Sequence, residues 1–220
     1  HMNGTGPFKL VRWDVSARRL HLAANEEYFE SAPRIKNIHM MTVTEPSTLR
    51  LLLEGGEADI VEIPSQYVDQ LRGKPGVAVY DNLPRLRTDP VIFFTLDINA
   101  KGNPDVGSAQ LDGKGIPPNF FADEDVRKGF SYAFDYEAFL KQALLGRATR
   151  AYGPAPKELV DYGPDMPHYE FDLKKAEEHF KKAWGGQVWD KGFTLTITYN
   201  TGGVPRQMAA EMLKRNIESL

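Results

Sequence analysis

The sequence predicts an α/β fold in two parts, and three observations carry that prediction. Residues 38–63 read as strand, helix and strand, a β-α-β unit of conventional length that implies a parallel pair. Beyond residue 121 come helices opened by Asp123 or its neighbour, by Asp135 and by Asp172, then a stretch at 193–199 in which apolar residues alternate strictly with threonines. Between the two parts, residues 100–121 are rich in Gly, Pro, Asn and Asp with little periodicity, as in segments that join lobes or cover sites.

Taken in order, Phe8–Val11 and Leu20–Ala23 read as two strands joined through the polar stretch Asp14–Arg19, a hairpin or meander. Ile38–Val43 is β-rich. Thr44 and Pro46 then announce a helix with Leu49, Leu52 and Leu53 on one face, stopped by Gly55 and Gly56. Ala58–Ile63 reads as the next strand, followed by a short helix from Gln66 to Leu71, a strand at Val77–Tyr80 and an apolar strand over 91–98.

In the second part, Val126, Phe130, Ala133 and Phe134 recur at helical spacing and form a core face. Asp135 opens a helix with Phe139, Leu140, Ala143 and Leu144 inward, ended by Gly146. Asp172 opens another with Ala176, Phe180, Ala183 and Trp184, closed by Gly185 and Gly186. Phe193, Leu195, Ile197 and Tyr199 alternate with Thr194, Thr196 and Thr198 as a half-buried strand. The last helix starts near Pro205 and carries Ala209, Met212, Leu213, Ile217 and Leu220, a stripe with no following strand to face. The expectation is that the natural protein continues, and that this stripe frays or makes the chain self-associate.

The bulk properties exclude several classes of function. With 41% hydrophobic and 26% charged residues the chain has the composition of a folded globular protein. A net charge of -3 offers no basic field for a nucleic-acid backbone. No apolar run approaches the roughly 20 residues that span a bilayer. Cysteine is absent, which removes disulfides, thiolate metal sites and thiol catalysis. His1 and Met2 read as a cloning scar, since no basic or apolar leader pattern follows them.

Catalytic and metal templates find no match. His21, His39, His168 and His179 lie far apart in sequence without H-E-x-x-H spacing, so no metal site and no cofactor are expected. There is no G-x-S-x-G elbow, and Gly4-Thr5-Gly6-Pro7 precedes a strand, the wrong context for a phosphate cradle. Asp123, Glu124 and Asp125 are explained as capping and helix-dipole residues rather than paired catalytic carboxylates.

The order of these segments resembles a known family. Asn3-Gly4-Thr5-Gly6-Pro7-Phe8 is similar to a G-T-G-P-[FY] turn, and Asn25 to Phe29 to the N-x-x-Y-[FW] that follows it. Leu53 to Ile60 resembles L-x-x-G-E-x-D-I, and Asp125-Val126-Arg127 with Tyr132 to Asp135 resembles V-R-x-A-x-x-Y-A-[IF]-D. Tyr169 to Ala176 is similar to a Y-D-P-x-x-A-K segment, with Phe171-Asp172-Leu173 in place of Y-D-P. Together these resemble bacterial extracellular solute-binding protein family 5, the dipeptide- and oligopeptide-binding components of ABC transporters.

The resemblance implies a periplasmic binding protein-like fold of type II, two α/β lobes about a hinge with ligand between them. It implies that residues 3–98 are part of the first lobe and 99–220 the first part of the second. It implies a non-catalytic protein in the periplasm or lipid-anchored at the cell surface, binding peptides or similar small solutes and handing them to an ABC permease. It also implies that Phe93–Asn99 passes through the hinge and that Tyr199-Asn200-Thr201 faces the cleft. The candidate ligand-binding residues are therefore Phe93, Thr95, Asp97, Asn99, Tyr199, Asn200 and Thr201. Other readings of the same residues are that Asn99 caps a turn and that Tyr199 packs on a helix. A signalling or chaperone-like module using the same fold without transport is the alternative function.

Overall fold

The structure, a computed structural model, describes residues 4–81, 83, 92–152 and 165–220. They divide into two compact units, one formed by residues 1–64 and 73–77, the other by 65–72 and 78–220.

The first unit is built on an antiparallel sheet in the order β1-β2-β3, with strands β1 Phe8–Asp14, β2 Arg19–Ala24 and β3 Asn37–Met41. The expected hairpin is present. A bulge between Leu10 and Arg12 shifts its register, so that Leu10 faces Leu22 and Arg12 faces His21. Two of the family-like motifs meet at the open end of this hairpin, where the Asn25 amide donates to the Pro7 carbonyl at 2.8 Å. At the other end Asp14 organises the turn: its Oδ1 accepts from the Ala17 amide at 2.9 Å and the Ser16 hydroxyl at 2.7 Å. With Arg12 at 2.8 Å from its second oxygen, these bonds draw the Asp14 carboxyl down to about 2.

A carboxyl held below its ordinary value of roughly 3.9 stabilises the fold above that pH and loses its effect as pH falls through the lowered value. An acid titration followed by NMR should therefore show the Ala17 amide shifting with a midpoint near pH 2, about the value to which Asp14 is lowered. A midpoint at the ordinary carboxylate value would show that these hydrogen bonds do not hold in solution.

Helix α1, Pro46–Glu54, follows β3 as expected, with Pro46 at its start and Leu49, Leu52 and Leu53 half-buried. The Gly55 amide bonds to Leu51 and the Gly56 amide to Leu53, closing the helix. The parallel β-α-β unit is not formed. Residues 58–63 have no regular structure and no ladder partner among the described residues, with a bend at Asp59, and β3 pairs antiparallel with β2 instead. Extended residues become a strand only when a neighbour takes up their N–H and C=O groups. The same correction applies to 77–80 and to the described residues 92–98, whereas residue 91 lies outside the described residues. The short helix expected at 66–71 is a 3-10 helix over Ser65–Gln70.

The second unit holds the core. Helices α2 Glu124–Ala133, α3 Tyr136–Ala138, α4 Leu173–Lys182, α5 Gln187–Lys191 and α6 Val204–Glu218 surround Val106, Phe120, Val126, Phe130, Phe139, Phe180, Val188 and Leu213, all buried. The three expected caps are in place. Asp123 accepts from the Val126 amide, Asp135 from Ala138 and Asp172 from Lys175. Asp123 does more than cap, because its second oxygen takes the Trp184 amide at 2.9 Å and so pins the turn after α4 to the start of α2. Trp184 sits there at φ 51, a left-handed conformation that a large residue rarely adopts.

Several expectations change in this unit. The helix after Asp135 runs for three residues and then widens into a π-turn over Phe139–Ala143, which places Phe139 and Ala143 in the core. Residues 100–121 are folded rather than a covering loop: Val106, Ile116 and Phe120 are buried, and Gly107 bridges to Gly115. Residues 193–199 keep their alternation, with Phe193, Leu195 and Ile197 against the core, but form no ladder among the described residues. Their bonds go to that folded segment, the Thr196 amide to Asp105 and the Thr194 hydroxyl to Gly113.

The stripe on the last helix does not face nothing. Ala209, Met212 and Leu213 are buried in the core, with Ile217 and Leu220 packed on its edge. Asn216 donates to the Ala133 carbonyl at 2.8 Å, tying α6 to the end of α2. The buried part of the stripe thus has its cover within the unit, from α2 and the π-turn.

Candidate functional site

The segment 92–99 alternates between packed and exposed residues up to Thr95 and then bends at Leu96 and Asp97, where Leu96 is itself exposed. Ile92, Phe94 and Ile98 lean on the core, Phe94 through ring contacts with Phe121 at 5.2 Å and Phe130 at 5.9 Å. The Ile98 amide is anchored on the Pro118 carbonyl at 2.9 Å. The intervening residues Phe93, Thr95, Asp97 and Asn99 are exposed as a consequence, Phe93 to 78%. An aromatic ring left this open beside hydroxyl, carboxylate and amide groups is the material of a small-molecule site. Asn99 also accepts from the Lys101 amide at 3.1 Å, so the turn-capping reading of that residue holds.

Tyr199, Asn200 and Thr201 lie between the alternating stretch and α6, and all are exposed. Tyr199 is 47% exposed, whereas Phe193, Leu195 and Ile197 before it pack on the core. Asn200 holds the loop together. Its carbonyl accepts from the Gly203 amide at 3.0 Å, and its Oδ1 accepts from Arg206 at 2.7 Å. Gly203 lets the Asn200 side chain lie close, since a Cβ at that position would fall 2.6 Å from Asn200 Oδ1 and push that side chain aside. Arg206 therefore belongs to the first turn of α6 and braces the candidate loop from the helix.

Both candidate segments rest on the same core cluster of the second unit, one through Phe94 and Ile98, the other through Phe193 and Ile197. Two open grooves lie instead in the first unit. One, of about 510 Å³, is lined by Met41, Leu49 and Ile60–Pro64, and the other, of about 440 Å³, by residues of the sheet including His21 and His39. Neither is lined by any of the candidate residues.

Two clusters escape a reading of the sequence because their members are distant in it. Arg150 lies over the Tyr136 ring at 4.2 Å and binds Glu170 at 2.8 Å, with His168 on the same Glu170 oxygen at 2.7 Å. Burial pushes the Tyr136 phenol up to about 12, although Arg150 opposes this, and its hydroxyl donates to the Ser131 carbonyl. This cluster ties His168 and Glu170 through Arg150 to Tyr136 of α3, and Tyr136 to the Ser131 carbonyl of α2. The second is the pair His21 and His39, read as isolated from spacing, which the sheet stacks at 4.3 Å.

The family-like motif at 125–135 is a packing device in this structure. Arg127 gathers the carbonyls of Phe121 and Ala122, and Tyr132 stacks on His179, which reaches Asp125 at 2.6 Å. Gly129 stands where the motif has alanine, and the Phe180 ring fills that space: a Cβ there would come within 2.6 Å of it.

Comparison with known proteins gives a consistent result. The family model described as bacterial extracellular solute-binding proteins, family 5 Middle, matches residues 1–220. A probable D,D-dipeptide-binding periplasmic protein of Escherichia coli strain K12 is 28% identical over 90% of this chain and 33% of its own length. A glutathione-binding protein of Pectobacterium atrosepticum is 26% identical over 90% of this chain and 33% of its own. Among solved structures, an oligopeptide-binding protein of Bacillus subtilis in complex with a nonapeptide aligns with a TM-score of 0.66 at 20% identity, covering 97% of this chain and 40% of that one. The chain thus spans about a third of the length of these curated relatives, which are named as binding proteins and not as enzymes.

Proposed function

Because the chain belongs to the bacterial extracellular solute-binding proteins of family 5, we propose that its parent protein is the non-catalytic binding component of an ABC importer for peptides or similar small solutes. The α/β fold of the chain is part of the periplasmic binding protein-like fold of type II. In this reading residues 3–98 and 99–220 belong to successive lobes, ligand lies between them, and the protein works outside the cytoplasm beside a membrane permease. Among the described residues no helix is long and apolar enough to cross a membrane.

The observation that carries the proposal is the split between adjacent phenylalanines, Phe94 half-buried against the core and Phe93 left 78% exposed beside polar residues. An exposed aromatic beside Thr95, Asp97 and Asn99 supplies a wall and hydrogen-bonding groups for a peptide backbone. Tyr199, Asn200 and Thr201 supply a second such set from the loop before α6. Interdomain clefts bind by closing two walls on the ligand, so one wall alone binds poorly.

Calorimetry of the full-length parent against a di- to nonapeptide library tests this. Full-length protein should bind members of the library, and Phe93→Ala and Tyr199→Ala should each weaken binding about tenfold or more. The 220-residue chain should bind the same peptides at least roughly a hundredfold more weakly. Failure of the parent to bind any peptide would overturn the substrate class, and unchanged binding by both variants would overturn the site.

A further inference from the structure

The three-stranded sheet has one polar face, and its histidines make a site that the binding function does not use. His21 on β2 lies directly opposite His39 on β3, and their imidazoles stack with centroids 4.3 Å apart and planes 14° from parallel. Because side chains alternate along a strand, Arg19 and His21 share a face with His39 and Met41, while Leu20 and Leu22 turn to the other side with Met40 and Ile38. Across β1 the polar face continues with Arg12 opposite His21 and Asp14 opposite Arg19. On this polar face His39 is exposed and His21 half-buried.

His21 is also oriented as a ligand would be. Its Nε2 lies 2.9 Å from Asn37 Oδ1, an oxygen that only accepts, so Nε2 carries the proton and Nδ1 keeps its lone pair. Metal-binding histidines are held in the same way, one nitrogen tied to an oxygen and the other free for the ion. Two imidazoles on one ion, at bonds of about 2 Å, place their nitrogens about 3 Å apart. A stack at 4.3 Å reaches that spacing when the His39 ring turns about its terminal torsion, which is soft, while His21 stays on Asn37.

We propose that His21 and His39 form a two-imidazole site for a divalent late first-row transition ion, Cu(II) ahead of Ni(II) and Zn(II), with water completing the coordination. No group of three or more metal-ligating side chains occurs among the described residues, so the site is an open and weak one. Arg12 and Arg19 on the same face act against a dication, and the Asp14 carboxylate, 2.8 Å from Arg12, offsets the charge of Arg12.

The probe is copper(II) chloride, titrated into the 220-residue chain carrying His1→Ala, which removes the chelate that an N-terminal histidine itself offers. Calorimetry should show one ion per chain, and electron paramagnetic resonance should show two equatorial imidazole nitrogens. His21→Gln and His39→Gln should each weaken binding at least roughly tenfold, with the double variant little worse than either, because two ligands on one ion act as a unit. His168→Gln should leave affinity unchanged. Equal affinity in the His21→Gln/His39→Gln double variant, or a spectrum with a single nitrogen, would overturn the site.

Discussion

Replacing Phe130 by alanine should destabilise the second unit by about 3 to 5 kcal/mol, the range for deleting a buried aromatic side chain. Phe130 is 3% exposed and its ring meets those of Phe94 at 5.9 Å, Phe121 at 5.4 Å, Phe180 at 5.5 Å and Phe193 at 5.9 Å. These partners come from the segment at 92–99, the folded segment before α2, helix α4 and the alternating stretch. The cavity would therefore open where four parts of the chain converge, and rigid surroundings close such a cavity only partly. Urea denaturation measures the loss. Phe93→Ala, one residue before Phe94 but exposed, is the control and should change stability by less than about 0.5 kcal/mol. Comparable losses in the two variants would mean that the phenylalanine cluster is not what holds this unit together.

Gly115→Ala should cost about 3 kcal/mol or more, at the upper end of overpacking penalties. A Cβ at Gly115 would fall 2.4 Å from both the Ser108 amide and the Val106 carbonyl. Those are backbone atoms, so no side-chain rotation relieves the clash. The crossing of Gly107 and Gly115 is also what brings Val106 and Ile116 into the core, through the Ile116 amide bond to the Val106 carbonyl at 3.0 Å. Thermal melting of Gly115→Ala beside the exposed Lys114→Ala gives the comparison. An alanine variant melting with the wild type would show that the crossing opens without loss of the core.

How much of this was legible in advance depends on the range of the interactions. The turn at Asp14–Arg19 and helix α1 follow from residues that touch their near neighbours, and both formed as read. Phe93, Thr95, Asp97 and Asn99 were placed on one face by simple alternation; all four are exposed, but Leu96 between them is exposed too, at a bend that interrupts the alternation. The bracing of Asn200 by Arg206 was not legible, because it depends on the chain reversing at Gly202 and Gly203. Nor was the stacking of His21 on His39, which requires the register of β2 on β3.

The sequence by itself determined the helix starts at Asp123, Asp135 and Asp172, the apolar faces behind them, and the family to which the chain belongs. Caps and helical periods are satisfied within a few residues, so local order is enough to specify them. Only the tertiary structure decided that 58–63 and 193–199 form no ladders among the described residues, and that the chain after Asp135 widens into a π-turn. It alone decided that the stripe of α6 is covered by α2 and its neighbours. A ladder or a buried face needs a partner supplied from far along the chain, and an alternating or amphipathic pattern states that a partner is needed without stating which one it is.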